Sequence, residues 1–349
     1  MKRDEFMAKL DGFDGERLKR ALWNLYWRGA ATMRERIEGE LDPGEIVRRS
    51  AAKAVVDPEQ VLDAVEDFVT LVRSGAYMGG DRRVAPRERT RWRFTFQSLA
   101  ADAQGALRNE ENLKPGATAL ERLIDLGCSM RDFDYVHSED AVEAARFVVS
   151  DAVTALWTAL LARYGFAGFA QRAAPQLIRW ESRHGWTRHG WGEVAKKEVS
   201  LATVLGSMLV IPDTWIGFAD HYLAALDKVA GDEQTKPTQR YGHPTDRSRR
   251  VRAGALAEWH DLLLRKLLTY EADDRLERLI HHPALAGPEL GLMQARLAHH
   301  RGDLQGARTL VEGGLRELPG HQELLKFALE IQAPLSARAQ QLVKERGLR

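Results

Sequence analysis

The stretch RWESRHGWTRHGWGEV, residues 179–194, concentrates side chains able to do chemistry. His-Gly-Trp occurs twice, as His184-Gly185-Trp186 and His189-Gly190-Trp191, with Thr187 and Arg188 between the copies. An imidazole can move a proton near neutral pH, and a guanidinium can stabilise the negative charge of a phosphoryl transition state. The glycines allow tight turns, and the indoles can plug a hydrophobic surface. The same stretch can also contact a partner from a protruding loop. The partner-binding candidates are therefore His184, Trp186, Arg188, His189 and Trp191.

Arg179 and His184 have the spacing of the HEPN ribonucleases, a helical family. The resemblance implies RNA cleavage, with His184 transferring the proton and Arg179 holding the phosphorane charge. The spacing recurs at Arg131 and His137, Arg183 and His189, Arg275 and His281, and Arg316 and His321. The last pair straddles Pro319, where no such site belongs. A pattern this frequent in an arginine-rich chain arises mainly by chance. No catalytic residue is assigned, and Arg179 with His184 is the alternative.

His184 and His189 with Glu181 or Glu193 lack a recognised ligand spacing, and the adjacent pairs His281-His282 and His299-His300 point to different faces of their helices. No metal is expected. There is no Walker-type loop, no Gly-x-Ser-x-Gly elbow and no Cys-x-x-Cys, so no cofactor is expected either. Two basic patches remain: Arg83, Arg87 and Arg91 beside Trp92 and Phe94, and Arg249, Arg250 and Arg252. Arginine interleaved with aromatics can grip phosphates and stack bases, which makes these six the nucleic-acid-binding candidates. The competing reading is a solvated helix face with Trp92 and Phe96 turned inward.

The elements that must position these residues are helices. Asp57-Pro58-Glu59-Gln60 combines an N-cap, a first-turn proline and a capping-box residue, and Val61, Val65, Phe68, Val69 and Val72 follow at helical spacing. Pro86 opens a helix through Trp92 and Phe96 to Leu107. Pro115-Gly116 marks the next helix, and Ser138-Glu139-Asp140 caps a long one through Leu161. Phe166–Arg183 follows, with Pro175 as the place for a bend. Pro212 opens a helix with Trp215, Phe218, Tyr222 and Leu226. Near the start, Leu18, Leu22, Leu25 and Tyr26 form one apolar face, and Met33, Ile37 and Leu41 belong to a second short helix. Strand signals are confined to residues 185–200, where a small irregular hairpin is expected.

The chain of 349 residues has a formal net charge of +1, and is 44% hydrophobic and 29% charged. That balance gives no global attraction to nucleic acid or to an anionic membrane. The single cysteine, Cys128, excludes an intramolecular disulfide and fits a reducing cytoplasm. Asp4 and Glu5 follow Met1 closely, so no secretory signal is expected. The most apolar helix, Ala152–Ala162, is too short to cross a bilayer.

LMQARLAHHRGDLQGARTLVEGGLRELPGH, residues 292–321, resembles a tetratricopeptide repeat. Ala295 stands at the small crossing position of the first helix, Gly302-Asp303 at the turn, and Ala307 at the small position of the second helix. Gly314 replaces a later alanine, and Pro319 closes the unit. The tryptophan and tyrosine positions of the pattern hold Gly291 and Ala298 instead. The resemblance, over about residues 288–332, implies stacked helical hairpins that bind a protein or peptide on a concave face. The more N-terminal helices are similar in style to the helical regions beside SWIM zinc fingers in bacterial proteins, without the zinc-finger cysteines.

The expected architecture is all-α, a stack of helical hairpins. An N-terminal helical domain covers residues 1–230, with a Gly/Trp-rich loop at 184–199. A polar linker spans 231–248, and the tetratricopeptide-like region covers 249–349. The expected function is non-catalytic binding of a protein or peptide partner. The alternative is RNA or DNA binding, and no membrane association is expected.

Overall fold

The computed structural model describes residues 5, 10–28, 57–78, 83–109, 112–187, 192–235 and 244–348; the side chains of 28, 182–187, 234–235 and 244–246 lie outside that description. The described residues form sixteen helices and no strand, so the chain is all-α. No helix among them is long and apolar enough to cross a membrane. The expected helix around Met33, Ile37 and Leu41 lies outside the described residues. The chain divides into two compact units, Met1–Val56 and Asp57–Arg349.

In the first unit, α1 (Gly15–Arg28) carries Leu18, Leu22, Trp23, Leu25 and Trp27, all exposed. Trp23 stacks on both Tyr26 and Trp27 along the helix surface.

The second unit begins at α2 (Pro58–Arg73). Asp57 caps it by accepting from the Glu59 amide at 3.1 Å, and Pro58 occupies the first turn. Val61, Val65, Phe68, Val69 and Val72 are buried, as the spacing predicts. The expected helix from Pro86 is broken in two: α3 (Pro86–Arg89) ends at Thr90, and α4 runs from Trp92 to Ala106. Next come α5 (Leu113–Ser129) and the short α6 (Ala141–Ala144). Phe96 meets Phe68 and Phe147 edge-on, which ties α4 to α2 and to the segment before the next helix.

Asp140 does act as a cap, accepting from the Glu143 amide, but the helix it opens is α6 alone. Arg146 turns to a φ of 51°, and a new helix, α7, starts at Val149 and runs to Thr187. Its single non-helical residue is Gly165 (φ 64°), not Pro175. Gly165 adopts a conformation that L side chains rarely take, so the break falls there. The helix then continues through Gly185. A glycine costs about 1 kcal/mol in a helix but does not forbid one.

The remaining helices are α8 (Leu201–Met208), α9 (Pro212–Thr235), α10 (Pro244–Ala255), α11 (Ala257–Thr269), α12 (Asp273–Ile280), α13 (Pro288–His300), α14 (Leu304–Glu317), α15 (Gln322–Glu330) and α16 (Ala337–Glu345). The expected linker 231–248 is thus helical at both ends, with residues 236–243 outside the description. Helices on its two sides pack together. Ring contacts run from Trp180 through Trp157, Phe169 and Phe218 to Trp259, and Trp215 and Tyr222 also touch Trp259. All of these rings are fully buried.

The hairpin expected at residues 292–321 is present as α13 and α14. Gly302 turns the chain at φ 81°, and Asp303 caps α14 by accepting from the Gly306 amide at 2.8 Å. Ala295 and Ala307 are both 0% exposed in the shared core. A Cβ on Gly314 would sit 2.7 Å from Leu324 Cδ1, so the missing side chain lets α15 approach α14 closely.

Candidate functional site

Of the hairpin expected at 185–200, the described residues contain no strand: 185–187 are helical, 192–197 form a bend and turns, and three carboxylates hold the segment 192–201. Glu143 accepts from the amides of Glu193 and Val194, both at 2.9 Å. A Cβ on Gly192 would lie 2.0 Å from Glu143 Oε2, so this position excludes any other residue in the observed geometry. Glu198 accepts from the Val149 and Ser150 amides at 2.7 and 2.9 Å and so caps α7. The fully buried Glu181 accepts from the Leu201 amide at 3.0 Å. The segment is a strap across the start of α7, held by acceptors for amides that would otherwise be orphaned.

Arg179, on α7, pairs with Glu121 at 2.5 Å and Asp125 at 3.0 Å on α5, and its guanidinium lies 5.2 Å from the Trp180 ring. Trp180 is buried and donates to Asp125 at 2.7 Å. His184 and Trp186 belong to the last turns of α7, but their side chains lie outside the described residues, as do Arg188, His189 and Trp191 entirely.

The two arginine patches differ. Arg249 and Arg252 converge on Glu233, at 3.3 and 2.5 Å, with all three side chains largely buried. Arg252 also donates to the Ala284 carbonyl, and Arg250 pairs with Glu317 at 3.0 Å. Arg83, Arg87 and Arg91 are exposed on and beside α3.

Glu233 belongs to a ladder along α9 that the sequence did not reveal. Asp220 takes a two-pronged contact from Arg275, at 2.8 and 2.9 Å. Asp227 pairs with Arg278 and, at 3.1 Å, with His282 Nε2. Between these rungs Tyr222 Oη lies 2.6 Å from His260 Nε2. Burial pushes the Tyr222 hydroxyl well above its ordinary pKa, although nearby Arg252 works against the rise. Burial also pushes His260 down to about 3, helped by His282, and lowers His282 despite its bond to Asp227. No opening to solvent serves these buried groups: His260 and His282 are 1% and 3% exposed. Their arrangement holds α9 to α11 and α12.

The arrangement best suited to holding a ligand is a groove of about 380 Å³ formed by α11, α13 and α15. Leu264 and Leu268 come from α11, Arg296 and His299 from α13, and Phe327 and Glu330 from α15. Phe327 is buried as the floor, and the His299 ring meets it edge-on at 5.8 Å. Arg296 sits 5.9 Å from the Phe327 centroid, pairs with Asp261, and approaches Glu323 at 4.0 Å. Arg265 pairs with Asp261 at 3.1 Å. The groove therefore offers an apolar floor with charges of both signs on its walls. A larger depression, about 460 Å³, lies beside Pro319 and Pro334 on the α14 side, and only two neighbouring segments shape it. No group of three or more possible metal ligands occurs among the described residues.

The sequence reading missed Arg265, Arg296, His299 and Phe327. The resemblance to stacked hairpins was the one signal that could have found them, because it places the first helix of each hairpin on a shared face. No protein family matches the chain, and no curated protein or solved structure matches it significantly.

Proposed function

We propose that the chain is a non-catalytic interaction or scaffold protein that binds a protein or peptide segment along the groove of α11, α13 and α15. One observation carries this reading: three helices, α11, α13 and α15, line one groove with an apolar floor and charged walls. The tetratricopeptide-like pattern of residues 288–332 supports it, since hairpins of that kind stack to build extended binding surfaces. The partly exposed Leu268 would give apolar contact over the Phe327 floor, while Arg296, Arg265 and Glu330 would select charge on the partner. The lone buried thiol of Cys128 supports a reducing compartment such as the cytoplasm.

The test is capture from lysate of the native organism, with and without nuclease, using the wild type and an Arg265→Glu/His300→Glu variant. Both positions are exposed, so the fold should persist. A protein that survives nuclease treatment and is lost with the variant supports the reading. Recovery of nucleic acid alone, or recovery indifferent to the variant, overturns it. Arg179, already held by two carboxylates, supports binding over phosphate chemistry. Cleavage of single-stranded RNA that disappears in both Arg179→Ala and His184→Ala would reverse that judgement.

A further inference from the structure

The segment RVAPRERTRWRF, residues 83–94, holds five arginines and one glutamate in a chain of net charge +1. The structure separates these charges by what each can reach. Val84 and Trp92 are 3% and 5% exposed and anchor the segment at both ends. Arg89 Nε donates to the Val84 carbonyl at 3.0 Å, which closes the turn from within. The single acid, Glu88, accepts from the Ala85 amide at 3.3 Å. Arg87, Arg91 and Arg93 are left exposed, and among the described residues no carboxylate pairs with any of them. Arg249, Arg250 and Arg252 make the contrast, since Glu233 and Glu317 neutralise them. Phe94, named with the arginines as an aromatic able to stack on a base, is 44% exposed, with the Arg93 guanidinium 4.9 Å from its ring centroid.

We propose that this α3–α4 edge binds a single-stranded nucleic acid, with Arg87, Arg91 and Arg93 contacting phosphates and Phe94 stacking on a base. An unpaired guanidinium gains more from a phosphate than one already held by a carboxylate, because no ion pair must break first. Three separate cations suit a polymer with a charge at every nucleotide. An exposed ring among them suits a base free to unstack, which a duplex does not present. A lipid surface would need a broader apolar wedge than one phenyl ring. This surface lies on other elements than the groove, so the two readings stand or fall separately.

Fluorescence polarisation of a labelled, mixed-sequence single-stranded RNA of about 12 nucleotides, titrated with the full chain at several salt concentrations, tests the proposal. Three phosphate contacts predict a slope of log K against log salt near about −2. Arg87→Ala/Arg91→Ala/Arg93→Ala should weaken binding at least about tenfold at low salt and flatten the slope. The corresponding triple lysine variant should keep most of the binding, which guards against a folding defect in the alanine variant. Phe94→Ala should weaken binding roughly tenfold with the slope unchanged. Arg338→Ala, an exposed arginine elsewhere, and the groove variant Arg265→Glu/His300→Glu should bind like the wild type. Absence of binding at about 50 mM salt, or equal binding by the triple alanine variant, overturns the proposal. So does binding of the duplex, of anionic vesicles or of a phosphopeptide as tight as that of the single strand.

Discussion

Tyr222 Oη and His260 Nε2 face each other at 2.6 Å, joining α9 to α11 inside the core, while the other imidazole nitrogen, Nδ1, has no hydrogen-bond partner among the described residues. The imidazole is held neutral there. Its pKa falls to about 3 because protonation would place a charge in a desolvated site.

Stability should therefore depend on acid in a defined direction. With a lowered folded-state pKa, the unfolded chain binds more protons between the ordinary histidine value and about 3. Stability from this group is complete above about pH 6.5 and falls as the pH drops towards 3; by pH 5 the loss is about 2 kcal/mol. His282, lowered for the same first cause, adds in the same sense. Urea midpoints at pH 7.5 and 5 measure the effect. A His260→Gln variant with the same pH slope as the wild type would assign the acid sensitivity elsewhere.

Ala307 lies where α13 and α14 cross, with no exposed surface. Ala307→Trp should overpack that crossing and cost about 1–3 kcal/mol. An unchanged thermal transition would show that the hairpin can open there without loss.

The two arginine–glutamate pairings of the second basic patch should differ in weight. Glu233→Gln removes the carboxylate paired with the largely buried Arg252 and should cost roughly 3 kcal/mol. Glu317→Gln, in a pair half exposed on both sides, should cost less than about 1 kcal/mol. Equal losses in chemical denaturation would contradict the burial difference.

A protease site introduced within residues 236–243 should yield two fragments that remain together. Trp259 is packed among Trp215, Phe218 and Tyr222, and Arg275 and Arg278 reach Asp220 and Asp227 across the cut. Co-elution of the fragments from a sizing column is expected at ordinary ionic strength. Separation without denaturant would mean that the aromatic packing alone does not hold the pieces.

Local signals in the sequence were reliable where a residue's partner lies within a turn or two. Asp57 and Pro58 start α2, and the valines and Phe68 behind them are buried, because capping and helical spacing are local rules. Gly302-Asp303 and the two crossing alanines were legible for the same reason. The helix predicted from Asp140 to Leu161 is interrupted after Ala144. What ends it is the positive φ of Arg146, and what restarts it is Glu198, more than fifty residues further on. No periodicity records that partnership. The groove was equally hidden, since Arg296 and Phe327 become neighbours only when successive hairpins stack. The exposure of Phe94 runs against its type but follows from helical spacing, since it lies two residues from both Trp92 and Phe96 and so on the face opposite those buried rings.

The carboxylates of α9 also act as a positional key. Asp220, Asp227 and Glu233 meet different cations: Arg275, then Arg278 with His282, then Arg249 with Arg252. A slip of α9 by one helical turn, about 5.4 Å, would carry every carboxylate off its own partner at once. The half-exposed pairs of Asp220 and Asp227 oppose such a slip weakly, whereas the largely buried Glu233 with Arg249 and Arg252 opposes it more steeply. The ladder therefore adds its charges to the aromatic packing in favouring a single alignment of α9 against α11, the helix that also lines the groove with α13 and α15.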